Sequence, residues 1–265
     1  MTTTALIGTT KGLCVLTGER GGTFAERGPL FPGENVDEAP VAFPEGAGAS
    51  VARIWQLAPG AIDKPEVVYA GVEPAALFRS SDGGRSFQLV EGLWNHPHRA
   101  QWLPGGGGLC LHTILVDPRD PDALTVAIST SGVYRSDDSG ATWRPSNRGI
   151  RAVFLPDPDV EFGQCVHKVG RDAADPDRFY LQHHWGAYRS DDAAATWQPH
   201  EGGLPSTFGM PLVAHPHRGG TAWVIPLQSD GFRCTPEGYC RVYRAQDAAE
   251  SWEHSRTGCR SPTRT

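Results

Sequence analysis

One short pattern returns four times along the chain at nearly even intervals: FRSSDGGRSF from Phe78, YRSDDSGATW from Tyr134, YRSDDAAATW from Tyr188 and YRAQDAAESW from Tyr243. The aligned aspartates Asp82, Asp138, Asp192 and Asp247 stand 56, 54 and 55 residues apart. A period of that length means that one supersecondary unit repeats and that neighbouring units bury each other's apolar faces. Each copy has an aromatic residue and an arginine, a polar turn around aspartate, then Ser or Thr followed by Trp or Phe. That is the chemistry of a tight β-hairpin: aspartate accepts hydrogen bonds from turn amides, Gly84 and Gly140 supply positive φ, and the closing aromatic returns to the core.

Upstream of each copy lies a run of strand type (VVYAGV, LTVAIS, RFYLQH, TAWVIPL), and further upstream another, such as LCLHTILV and QCVHKVG. About four short strands per repeat of 55 residues is the pattern of a propeller blade. With 32 Gly and 22 Pro among 265 residues, the composition opposes a helical bundle, and 39% hydrophobic residues suffice for a core. The expected fold is an all-β propeller of four-stranded antiparallel blades, with about five blades of a probable six present in a single domain spanning 1–265.

The repeats resemble the Asp-box, or bacterial neuraminidase repeat, SxDxGx[ST][WF], of sialidases, sortilin-type propellers and glycosyl hydrolase-like proteins. Ser80, Asp82, Gly84, Ser86 and Phe87 fit it, as do Ser136, Asp138, Gly140, Thr142 and Trp143. The third copy has Ala194 for Gly, and the fourth has Ala245 for Ser and Ala249 for Gly, so those two turns are expected to be strained or differently shaped. The resemblance implies that the four aspartates are structural, since the box lies on the blade periphery. It also implies a possible sialidase-like activity, which needs three arginines, an Asp acid/base and a Tyr nucleophile assisted by Glu. Arg53 in RIW matches the first of those arginines only faintly, and the blade that carries the tyrosine is missing from the pattern. Fold alone does not assign activity.

A net charge of −6 without a basic cluster argues against nucleic acid. The N-terminus lacks a basic region followed by an apolar stretch, and no window approaches the roughly 18 apolar residues of a membrane span, so a cytoplasmic chain without membrane contact is expected. The six cysteines at 14, 110, 165, 234, 240 and 259 form no CxxC pair. They read as thiols, with Cys234 and Cys240 open to a hairpin disulfide or to metal ligation.

The stretch LIGTTKGLCVLTGERGGTF aligns with the later part of a blade, Gly12 falling where Gly132 and Gly186 do, without that blade's first strand. Trp143, Trp197 and Trp252 are each followed six residues later by glycine: Gly149, Gly203 and Gly258. The pattern stops after Gly258, so residues 253–265 are expected to form an irregular tail. The ring reads as unfinished, a truncated or frame-shifted form whose exposed blade edges invite self-association.

Ligands of propellers bind at one mouth of the channel, built from the starts of the innermost strands and the loops entering them. Those loops are long here, residues 88–108 and 144–163. GLCLHTI and GQCVHKV place Cys110 with His112 and Cys165 with His167, each pair displaced by 55. The equivalent positions in the flanking blades fall near Arg53 and Met210. The same face is expected to gather Glu73, His96, His98, Trp102, Glu161, His183, His184 and Asp230, so that with His112 and His167 it holds six of the ten histidines. Three readings stay open. The first is a divalent metal held by His112 and His167. The second is a polar pocket for a small ligand, glycan or protein, lined by Arg53, Glu73, Trp102, His112, Glu161, His167, His183 and His184. In it Glu161 is the candidate acid/base and Trp102 a stacking platform. The third is a set of imidazoles that merely satisfy channel hydrogen bonds. A binding scaffold is preferred, with a sialidase-like glycoside hydrolase, with or without a metal's assistance, as the alternative. The glycines 105–108 lack the Lys-Ser/Thr of a phosphate loop and predict close backbone passage at the mouth.

Overall fold

The computed structural model describes residues 2–9, 12–19, 23–30 and 41–254. A three-stranded sheet comes first, β1 (Thr2–Thr9), β2 (Gly12–Glu19) and β3 (Phe24–Leu30), ordered β1-β2-β3. Four sheets of four strands follow. Blade I is β4 (Arg53–Pro59), β5 (Val68–Glu73), β6 (Ala76–Ser80) and β7 (Gln88–Leu89). Blade II is β8 (Cys110–Val116), β9 (Leu124–Ser129), β10 (Gly132–Ser136) and β11 (Arg144–Pro145). Blade III is β12 (Val166–Arg171), β13 (Phe179–His183), β14 (Gly186–Ser190) and β15 (Gln198–Pro199). Blade IV is β16 (Gly209–Ala214), β17 (Ala222–Pro226), β18 (Tyr243–Ala245) and β19 (Glu253–His254). Every pairing within these sheets is an antiparallel meander between sequence neighbours. The expected four-stranded blades are present, and the N-terminal sheet has three strands, with Gly12 opening β2 as Gly132 and Gly186 open β10 and β14. Of the tail expected over 253–265, Glu253–His254 form the outermost strand of blade IV, and residues 255–265 lie outside the described residues.

Inner strands of successive blades touch: β4 with β8, β8 with β12, and β12 with β16. The middle strands are almost wholly buried, because both faces of a blade meet a neighbour. Phe78, Tyr134, Phe179, Leu111, Ile128 and Leu181 fill the space between sheets.

The aspartate turns join the third strand of each blade to the fourth. Asp138 Oδ1 accepts from Ser136 Oγ (2.7 Å) and Thr142 N (2.8 Å), and its Oδ2 from Thr142 Oγ1 (2.5 Å). These bonds, that of the Thr142 hydroxyl foremost, hold its carboxyl down to about 2. Asp82, Asp192 and Asp247 repeat the arrangement with Ser86, Thr196 and Ser251. The two turns that lack glycine keep the same shape: Ala193 and Ala194 have φ of 58° and 64°, Ala248 and Ala249 61° and 65°. They are strained rather than reshaped.

The closing tryptophans lie between blades. Trp197 Nε1 donates to Ser146 O of blade II (2.8 Å), and Trp252 Nε1 to His200 O of blade III (2.9 Å). Their backbone amides donate to Arg148 O and Gly202 O, both at 2.8 Å. A Cβ on Gly149 or Gly203 would stand 2.1 or 2.2 Å from the carbonyl oxygen of Trp197 or Trp252. That contact, made at positive φ, explains why a glycine follows Trp143 and Trp197 by six residues.

The segment between β7 and β8 folds into a short helix, α1 (Glu91–Trp94), and a 3-10 turn, Pro97–Gln101. It wedges Leu93 and Trp102 into the core shared by blades I and II.

Candidate functional site at the channel mouth

The strand registers define one end of the ring. Arg53 pairs with Glu73, Cys110 with Ser129, Val166 with His183 and Gly209 with Pro226. The starts of the inner strands and the turns between second and third strands therefore share one face, opposite the aspartate turns.

Each inner strand carries a bulge two or three residues from its start. The register slips between Ile54 and Gln56, Leu111 and Thr113, Val166 and Lys168, and Gly209 and Leu212. Bulges re-aim side chains, and they gather at barrel rims and binding sites. The residues skipped are Trp55, His112 and His167, with Met210 and Pro211 in blade IV. Trp55, and not Arg53, thus holds the place equivalent to the two histidines; Arg53 is exposed beside it. A two-residue offset in aligning blade I hid this.

The two equivalent histidines do different things. His112 is buried, with Nδ1 3.0 Å from Thr113 Oγ1 and Nε2 2.9 Å from Val166 O of the next blade. Burial, then the charge of Lys168, pushes its pKa down to about 3. Both ring nitrogens are engaged, so His112 bridges blades II and III and leaves no lone pair for a metal, contrary to its expected ligand role. Lys168 Nζ stands in the channel beside it, donating to His112 O at 2.8 Å.

His167 makes the equivalent bridge with the other nitrogen, Nδ1 lying 2.6 Å from Gly209 O of blade IV. Its Nε2 turns toward Cys165 Sγ at 3.6 Å. His184, from the turn after β13, packs its ring 5.2 Å from that of His167. Cys165, His167 and His184 bring their ligand atoms to within 4.8 Å of one another. Burial lowers the pKa of both imidazoles, and for His184 the neighbouring Asp230 partly opposes it. Burial also pushes the Cys165 thiol up to about 11. His184 Nε2 lies 3.2 Å from Asp230 Oδ2, close enough for the carboxylate to oppose the effect of burial on the imidazole. Arg233 Nη2 holds the other carboxylate oxygen, Oδ1, at 2.5 Å.

Glycines 105–108 cross this face. A Cβ on Gly108 would meet Glu73 Oε1 at 2.1 Å, one on Gly105 Ser129 Oγ at 3.0 Å and Cys165 Sγ at 4.0 Å, and one on Gly106 Arg233 at 3.9 Å. The expected close backbone passage is there, spanning residues of all four blades. Trp55 Nε1 donates to Glu73 Oε2 at 3.2 Å. Phe154 stacks on Trp185 with centroids 5.0 Å apart, the two being 43% and 38% exposed.

Other expected residues lie elsewhere. Trp102 is 6% exposed, its Nε1 donating to Tyr134 OH at 2.9 Å, so its ring belongs to the core and offers no platform. His96 and His98 pack round Tyr134 at β10, and Glu161, an exposed carboxylate, is 3.7 Å from His98 Nε2. His183 is buried behind His184, where its Nδ1 accepts from Trp185 N at 3.2 Å. Cys234 and Cys240 are free thiols rather than a disulfide. One concavity, against Arg189, Asp192 and His200, lies at an aspartate turn away from the mouth; another, against Pro74, Trp94, His96 and Arg99, borders the turn between β5 and β6. Trp55, Phe154 and Arg233 were missed because exposed aromatics and arginines carry no periodic signal, whereas the paired CxH spacing did point to Cys165 and His167.

Blades of four antiparallel strands set round a channel, joined inner strand to inner strand, define a β-propeller. Solved structures of that type share the fold: the GH74 xyloglucanase of Xanthomonas campestris has 16% identity and a TM-score of 0.57 over 96% of this chain and 36% of its own. The GH74 enzyme of Niastella koreensis gives 15% and 0.58 over 96% of this chain and 36% of its own, and an ancestral GH74 enzyme 14% and 0.56 over 97% and 30%. The chain thus spans about a third of the length of these structures. No family model matches the chain, and no curated protein matches it.

Proposed function

We propose that the chain is a propeller of the Asp-box type that binds a saccharide or another small polar ligand at its channel mouth. The observation that carries this reading is the stacked, exposed pair Phe154 and Trp185 on the face that also presents Trp55, Glu73 and Asp230. Aromatic faces bind the apolar side of a sugar ring while carboxylates and peptide groups take its hydroxyls. The glycines 105–108 supply peptide groups unshielded by side chains. The xyloglucanase among the structural neighbours suggests xyloglucan oligosaccharides as first ligands, with a wider glycan array beside them.

Calorimetric titration with those oligosaccharides is expected to show binding that Trp185→Ala weakens about tenfold, the worth of one stacking contact. Absence of binding across the array, or an affinity untouched in both Trp185→Ala and Trp55→Ala, overturns the reading. Release of reducing ends that ceases in Glu161→Gln would replace it with the hydrolase alternative.

A further inference from the structure

The trio at the start of blade III has the spacing of a coordination sphere. Zinc binds thiolate sulfur at about 2.3 Å and imidazole nitrogen at about 2.0–2.1 Å in tetrahedral array, which sets S···N at about 3.6 Å and N···O to a carboxylate at about 3.3 Å. Cys165 Sγ and His167 Nε2 stand 3.6 Å apart, and His184 Nε2 and Asp230 Oδ2 3.2 Å. The ligand atoms of the Cys-His-His trio all lie within 4.8 Å of one another, and Asp230, outside that trio, adjoins it through its contact with His184 Nε2.

The surroundings are those of a metal's outer shell. Gly209 O takes the Nδ1 proton of His167 at 2.6 Å and so fixes Nε2 as the nitrogen with the free lone pair. Arg233 occupies Oδ1 of Asp230 and leaves Oδ2 facing His184. Cys165 is 8% exposed and sits beside Ser129 below the glycine loop, shielded from bulk solvent.

We propose that Cys165, His167, His184 and Asp230 form a mononuclear site for a divalent transition metal of the zinc class at the mouth between blades III and IV. Thiolate with imidazole favours zinc, cobalt or nickel over calcium or magnesium. Binding transfers the Cys165 thiol proton to solvent. The site differs from the one expected at His112 and His167, keeping only His167, and it does not depend on saccharide recognition.

The test is titration of the reduced full chain with zinc chloride by calorimetry and with cobalt chloride by absorption. One metal per chain is expected, with the charge-transfer absorption of a cobalt–thiolate bond. Cys165→Ser should abolish that absorption and, like His184→Ala, weaken zinc at least 100-fold. Asp230→Asn, on an exposed loop where loss of folding is not a concern, should weaken it at least tenfold. Cys234→Ser with Cys240→Ser should change nothing. Circular dichroism confirms that each variant is folded. The absence of stoichiometric zinc in the unaltered chain overturns the proposal. So does zinc retained in both Asp230→Asn and Cys165→Ser, or zinc lost with Cys234 and Cys240.

Discussion

Ala248 has φ of 61° at a place where the first repeat has Gly83 at φ 77°, and the hydrogen bonds of the turn hold it there. A left-handed conformation costs a residue with a Cβ roughly 1–2 kcal/mol, part of which glycine returns through its freer unfolded chain. Ala248→Gly is therefore expected to stabilise the chain by about 0.5–1 kcal/mol, read as a higher midpoint in urea denaturation. Ala249 is the poorer target, since it is buried in the apolar cluster of blade IV and the loss of its methyl would offset the relief. The strain persists because the aspartate's bonds to the turn do not require glycine: Asp192 and Asp247 still reach Thr196 and Ser251.

Among the elements, the aspartate turn and its tryptophan form a joint rather than an ornament of one blade. Gly203→Ala would set a methyl 2.2 Å from Trp252 O at a φ of 89°, forcing blade IV away from blade III. A loss of about 2–4 kcal/mol is expected, seen as a lowered melting temperature in calorimetry, whereas Gly202→Ala, with a Cβ 3.3 Å from the Glu250 carbonyl, should cost less. This joint also shows what the sequence disclosed. The spacing of Trp197 to Gly203 was visible as a pattern, and so were the strands, because apolar periodicity and turn chemistry are local properties. The bulges were not visible, since a bulge depends on how two strands slide past each other, and they decide which side chain enters the mouth. Hence Trp55 was overlooked in favour of Arg53, and Trp102, typical of a sugar platform by residue type, is a core residue once Tyr134 closes over it. The CxH pairs of blades II and III look alike in sequence, yet only the second frees Nε2, because His112 spends both nitrogens on Thr113 and Val166.

Across the whole molecule, stability is shared between repeats, and one of its terms depends on acid. His112 accepts no proton while it bridges blades II and III, whereas in the unfolded chain it titrates near 6.5. The sign follows from a depressed base: its contribution is complete above about 6.5 and declines as pH falls toward about 3. His112→Gln is expected to lower the melting temperature at pH 7, through the weakened bridge, and to reduce the further drop between pH 7 and pH 5. Calorimetric scans at the two values check both effects. The inner bridges run forward, His112 to Val166 O and His167 to Gly209 O, and the outer ones run back, Trp197 to Ser146 O and Trp252 to His200 O. Two latches that face opposite ways at opposite edges of a blade resist its swivelling in either direction. Blades II, III and IV are thereby tied to one another by short polar links at both their inner and outer edges, and one blade cannot turn against the next without breaking one of them.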